Sequence, residues 1–262
     1  MAAAEHPATA FPDPGSRPAP RRPTVADRGT VLRAELSAGR WSTEGIAKVE
    51  GDATVDRARL RGTVVVGGRL VAGEVRLSGT LDVRGAVAVD RGLRTDGTLL
   101  ARSTVDVGEA DLDGTTRVLG ELRARTVLRS RGSLTAPAVR ALSVDLAGTA
   151  EVPGELAATA VTARFARSAR LGTVRGRKVS LRGPVPNPVR WALGLQAEVE
   201  VGRIEADRTY LEGVRVAFVR APEIELGPAS HLLAHEGTVL RAHRTSRIGP
   251  ESWSPAPPGL RR

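Results

Sequence analysis

The amino-acid sequence predicts an all-β fold, a parallel β-solenoid (β-helix) of about 17 residues per turn between polar tails. Three observations carry this expectation. Glycine followed by Thr or Ser recurs at Gly62-Thr63, Gly79-Thr80, Gly97-Thr98, Gly114-Thr115, Gly132-Ser133 and Gly148-Thr149, in steps of 17, 18, 17, 18 and 16. A second series (Gly68, Gly85, Arg102, Gly120, Pro137, Gly154) and a third (Val75, Leu93, Ala110, Val127, Leu142, Val161, Val179) run at the same mean spacing. Finally, the chain is 41% hydrophobic but only 3% aromatic. A wide globular centre calls for large rings to fill it, whereas a narrow coil is filled by Val, Leu and Ala.

Within each period the aliphatic residues come in alternating pairs: Val64 and Val66, Leu70 and Ala72, Val75 and Leu77, Leu81 and Val83, Val87 and Val89. Alternation with period two puts them on one face of a strand and Arg76, Asp82 and Arg84 on the other. Runs this short, broken by Gly or charge, do not make helices. Three strands per turn give a triangular coil. Each strand pairs with its equivalent in the next turn, and glycine supplies the bend at the corners.

Taken from the N-terminus, residues 1–30 read as a disordered tail, with Pro12, Pro14, Pro18, Pro20 and Pro23 interleaved with Arg17, Arg21 and Arg22. Residues 31–183 form the first solenoid block, about eight coils of it within 46–183. Residues 184–197 are a proline-rich break, where Pro184, Pro186 and Pro188 cannot belong to an interior strand. The stretch Val189–Leu195 reads as briefly helical, with Trp191 available as a cover. Pro184, Pro186, Pro188 and Trp191 together form a hinge candidate. Residues 198–249 resume the alternation as a second block of three coils, and residues 250–262 form a second tail. Continuity between the blocks is left open by the sequence.

The chain has 39 Lys plus Arg against 29 Asp plus Glu, a net charge of +10, and arginine carries nearly all of the excess. The arginines recur singly along strands, which fits a compositional bias better than one binding block. Nucleic acid or anionic lipid contacted through the Arg-rich tails is the alternative. Cysteine is absent, which excludes disulfides and thiolate metal sites. With no long apolar stretch and no secretory-type leader, the expected location is cytoplasmic, with membrane association as a variant.

Searching for chemistry yields no catalytic, cofactor or metal site. His231 and His235 are four apart in a context that reads as turn and strand, with no further ligand nearby. No phosphate-binding glycine-lysine motif occurs. Asp111 and Asp113 share a strand face without aromatic rings to hold a sugar. Hexapeptide acyltransferases are also β-helical, but they keep a stricter repeat and use a coil histidine, and no histidine lies between His6 and His231. The expectation is a non-enzyme with no small-molecule substrate.

The repeated units in GTLDVRGAVAVDRGLRTDGTLLARSTVDVG (79–108), and the stretch VEVGRIEADRTYLEGVRVAFVRAPEIELGP (199–228), resemble the bactofilins, polymer-forming cytoskeletal proteins of prokaryotes. Ile204 to Asp207, Leu211-Glu212, Val219-Arg220 and Leu226-Gly227-Pro228 resemble the C-terminal part of longer bactofilin-related chains. That resemblance implies a right-handed β-helix with disordered tails. It also implies filaments or scaffolds assembled without nucleotide through the ends of the coil, with copies of the same chain or bactofilin-like chains as partners. The alternative is a non-polymerising basic adaptor for DNA or anionic membrane.

An open coil end exposes unpaired backbone groups, a template for another strand. The rung of Trp41, Ile46 and Val49 is the N-terminal self-association candidate. That of Val239, Leu240 and Ile248 is the C-terminal one. Phe218, alone in an aliphatic strand, is expected in the core.

Overall fold

In the computed structural model, residues 23–184 and 198–249 are described, and every regular element among them is a strand. The first six are β1 (Thr24–Arg33), β2 (Leu36–Val49), β3 (Ala53–Val66), β4 (Leu70–Val83), β5 (Val87–Ala101) and β6 (Val105–Val118). Three short strands follow, β7 (Glu121–Ala124), β8 (Val127–Ser130) and β9 (Ser133–Thr135), and then the long β10 (Ala138–Phe165). The chain ends in β11 (Ala169–Arg182), β12 (Val199–Glu212), β13 (Arg215–Leu226), β14 (His231–Ala242) and β15 (Arg247–Ile248). All pairings are parallel, and the strands stack in chain order into a solenoid of about 12 turns.

Most strands are about a full coil long because backbone pairing continues around two of the three corners. In β3 the inward residues come in three pairs: Ala53 and Val55, Ala58 and Leu60, Val64 and Val66. Each pair lines one wall of the triangle, and the register carries it into the next coil. Leu36, Ala53, Leu70 and Val87 form one column, for example, and Val49, Val66, Val83 and Ala101 another. The core is thus three walls of aliphatic columns around a narrow lumen, with Leu60, Leu70, Leu81, Leu99 and Leu122 fully buried.

One corner is built from glycine alone over eight coils: Gly29, Gly45, Gly62, Gly79, Gly97, Gly114, Gly132 and Gly148. Six of these, all but Gly97 and Gly132, hold φ between 77° and 148°. A Cβ on any after Gly29 would run into the carbonyl oxygen of the glycine one coil below. The Gly-Thr series of the sequence is this ladder, extended downward by Gly29 and Gly45.

Three sequence expectations need correction. The tail expected over 1–30 ends by residue 23, since β1 starts at Thr24 and pairs with β2 over ten residues. In the third repeat series, Val127 and Leu142 are not core positions: Leu128 and Val144 take the column, and Leu142 is exposed. There the step changes from 18 (Ala110 to Leu128) to 16 (Leu128 to Val144), and a one-residue slip moves a side chain to the opposite face. The C-terminal coils also shorten to steps of 15 and 16, as in Glu200 to Arg215 and Arg215 to His231.

The two expected blocks are one stack. β11 and β12 pair at twelve positions, from Ala169 with Val199 to Arg182 with Glu212. Their offset of 30 residues (199 − 169) exceeds one coil of 17 by 13, and residues 185–197 lie outside the described residues. Pro184, the hinge candidate that lies within the described residues, follows directly after β11. Pro186, Pro188, Trp191 and the helical reading of Val189–Leu195 fall outside the described residues.

Gly114→Ala is expected to lower stability by about 2–4 kcal/mol, because it adds a methyl both against a backbone carbonyl and at positive φ. Gly92→Ala, with open space around its Cα and an ordinary φ, is expected to change stability little. Denaturant midpoints of the two variants check this.

Candidate assembly ends

A solenoid satisfies each coil with its neighbours, so its chemistry is least complete at the two ends. The first rung, β1, lies beneath the Trp41 rung. Trp41 and Val49 are each 1% exposed, while Ile46 points outward. The N-terminal terminus is consequently one coil earlier than the sequence suggested.

At that terminus two inward columns take up charged residues. Asp27 sits below Thr43 and Leu60, and Arg33 sits below Val49 and Val66, both at inward register positions. Arg33 Nη2 donates to Asp27 Oδ1 at 2.5 Å, and Trp41 Nε1 donates to Asp27 Oδ2 at 3.0 Å. Asp27 is 4% exposed. Burial pushes its carboxyl up, but hydrogen bonds from Arg33 and Trp41 and the Arg33 charge outweigh that and hold it below the usual aspartate range. The mouth of the coil is thereby closed by a bonded ion pair over an indole. A charge inside a terminal strand is a known device against edge-to-edge pairing. Only half-buried Val25 and Val31 remain as apolar inward groups on β1.

The C-terminal terminus is built differently. His235 lies over Val219, Val239 over Ile224 and Ala242 over Leu226, continuing the core columns to an end where His235 and Ala242 are exposed. Leu240 bulges between Val239 and Arg241 and is 52% exposed, and Ile248 is 49% exposed. Among the described residues, only Arg247 and Ile248 pair with the outer edge of β14, at His231 and Leu232. Its remaining length carries backbone groups without a strand partner there. His231 is fully buried, with Nε2 3.0 Å from the Gly249 carbonyl oxygen, so the proton of that tautomer sits on Nε2 and ties down the last turn.

Elsewhere the outward charges pair between coils. Arg131 bonds Asp113 at 2.7 Å and Asp111 at 3.0 Å, and Arg175 bonds Glu205 at 2.8 Å. Phe218 is not a core residue. Its ring is half-buried on the outer face, 4.8 Å beneath the Arg203 guanidinium. Among the described residues no group of three or more His, Cys, Asp or Glu is placed to hold a metal. Comparison with protein-family models, curated proteins and solved structures returns no match.

The Asp27 carboxyl has a lower pKa folded than unfolded. Its contribution is therefore fully present above the ordinary value of about 3.9 and is lost as pH falls through the folded value. Below about pH 4, amide exchange in β1 is expected to accelerate before that in β5, with a shift in Trp41 emission. Asp27→Asn should produce the same two changes at neutral pH. Uniform exchange across β1 and β5 under both conditions would contradict a local role for the pair.

Proposed function

We propose that this chain is a non-enzymatic scaffold protein of the bactofilin kind. In this reading it self-associates through the ends of its solenoid in the cytoplasm, with copies of itself as principal partner and without nucleotide or metal. The observation that carries the proposal is the C-terminal rung. There a stretch of β14 has no strand partner among the described residues, with half-buried Val239 and exposed Leu240 and Ile248 at the same end. A parallel strand edge with apolar neighbours supplies both halves of a strand-to-strand contact, backbone hydrogen bonds and area removed from water. Such a contact is reversible and needs no chemical energy source.

The two termini are unequal partners in this reading. The buried ion pair of Asp27 and Arg33 disfavours pairing at the N-terminal mouth, so the C-terminal rung is the dominant contact. Of the sequence-derived candidates, Trp41 and Val49 act by packing within the stack and not by touching a partner.

Sedimentation velocity without nucleotide is expected to show concentration-dependent species larger than one chain. Leu240→Glu combined with Ile248→Glu should reduce them strongly, since it places two charges at an apolar contact while leaving the core untouched. Ile46→Glu, exposed but on the side of the second rung, should leave them in place. A single monomeric species for the unaltered chain across the concentration series would overturn the proposal.

A further inference from the structure

Read along the chain, the arginines look scattered. In-register stacking gathers some of them into a block. β3 presents Arg57, Arg59 and Arg61 outward on one wall, all exposed. Arg40 of β2 lies directly below Arg57, and Arg76 of β4 followed by Arg94 of β5 continue the Arg59 column. Residues 17 and 18 apart in sequence thus become neighbours about 4.8 Å apart. The block measures about 14 Å along the coil axis and about 13 Å along the strands, from three coil steps and four residues of rise.

Six arginines stand here against three carboxylates, Glu44, Glu74 and Asp96, on the same wall of β2–β5. Asp56 and Asp90 stand at the neighbouring corner, beside Arg91. Glu44 is taken by Arg61 at 3.5 Å, and Glu74 is shared by Arg76 at 2.9 Å and Arg57 at 3.9 Å. Arg40 and Arg59 form no ion pair with any described residue. Three coils above β3 the same columns carry Glu109, Asp111 and Asp113, but these are bound by Arg94, Arg129 and Arg131. The carboxylates of this wall are largely neutralised, and the positive excess stays at β2–β4.

We propose that this wall is a docking surface for duplex nucleic acid, held through its phosphates without sequence preference. Guanidinium forks match phosphate oxygens in pairs, and nearly all the cations here are arginine. Outward positions between them are Ser42, Ser78 and Gly92, so no ring is available to stack an unpaired base. Nor does any of these wall positions carry a large apolar side chain to enter a bilayer. A planar anionic surface lying along the whole wall would also face β6, where carboxylates and their arginine partners leave no positive excess. A duplex crossing the wall at β2–β4 avoids it. Contacts confined to phosphates position a duplex and read no bases.

The test measures fluorescence anisotropy of a short labelled duplex with the full chain from 50 to 200 mM salt, with light scattering to follow assembly in the same samples. Arg40→Glu with Arg59→Glu is compared with Arg84→Glu plus Arg117→Glu, an equal change of charge at exposed arginines outside this wall that likewise make no ion pair among the described residues. For the unaltered chain, affinity should fall steeply with salt, each phosphate contact adding about −0.9 to the log–log slope. The first pair of substitutions should weaken binding roughly tenfold and flatten the slope by about 1.8, two contacts at that value. The second pair should change binding by less than about twofold, as expected of diffuse charge alone. Equal losses in both variants, no duplex binding at all, or wall-dependent binding to anionic vesicles without duplex binding would each overturn the inference. Unchanged thermal midpoints establish that both variants fold.

Discussion

The structure depends on one close approach, glycine stacked on glycine at a single corner. From Gly45 to Gly148 each member leaves no room for a Cβ above the carbonyl of the one below. A side chain at any of these positions would push adjacent coils apart, and parallel strands pair only near 4.8 Å. Over its eight coils the ladder therefore fixes the phase of each coil relative to the next. With the phase fixed, the walls follow: aliphatic pairs line the lumen, and charges meet their counterparts on the outside. Small aliphatic residues suffice because the lumen between three walls is narrow, which is why a chain with 3% aromatic residues can still bury a continuous core.

The same repetition makes the ends distinctive. Inside the stack each coil has both neighbours, and its backbone groups are satisfied by them. At the ends this fails, and the two termini meet the failure differently. The N-terminal rung places Asp27 and Arg33 where the columns above carry Leu60 and Val66, and bonds them to each other. Exposed ion pairs contribute little, but this one has a carboxylate withdrawn from water and hydrogen-bonded by Arg33 and Trp41, so losing Arg33 strands a buried charge. The C-terminal rung keeps apolar positions and an open strand edge. That difference leaves one end closed and, among the described residues, the other open.

Most of the coil interior is legible from the sequence because its rules are local and periodic. The Gly-Thr steps mark the corner, and alternating Val and Leu mark the walls. What the sequence hides lies where periodicity is broken. Most of β1 reads as tail because Asp27 puts a charge at an inward position that later coils fill with Leu, Thr or Ser. Val127 and Leu142 are aliphatic and near the right spacing, yet changed coil lengths turn them outward and leave the column to Leu128 and Val144. Phe218 reads as core by its chemistry, although the register places it outside under Arg203. The arginine block is invisible in the linear chain, since its members become neighbours only through stacking. Continuity across the proline-rich insertion also requires the ladder of β11 and β12, because nothing local distinguishes a loop from a linker.

We propose that the coil ends, and no cofactor, supply the contacts for assembly. Negative-stain electron microscopy of the full-length protein without nucleotide, at low and physiological salt, tests it most directly. About twelve coils at ~4.8 Å make a rod of roughly 58 Å, so end-to-end assembly is expected to give particles two or more times that length. Only single rods of that length, at both salts and across a range of concentrations, would contradict it.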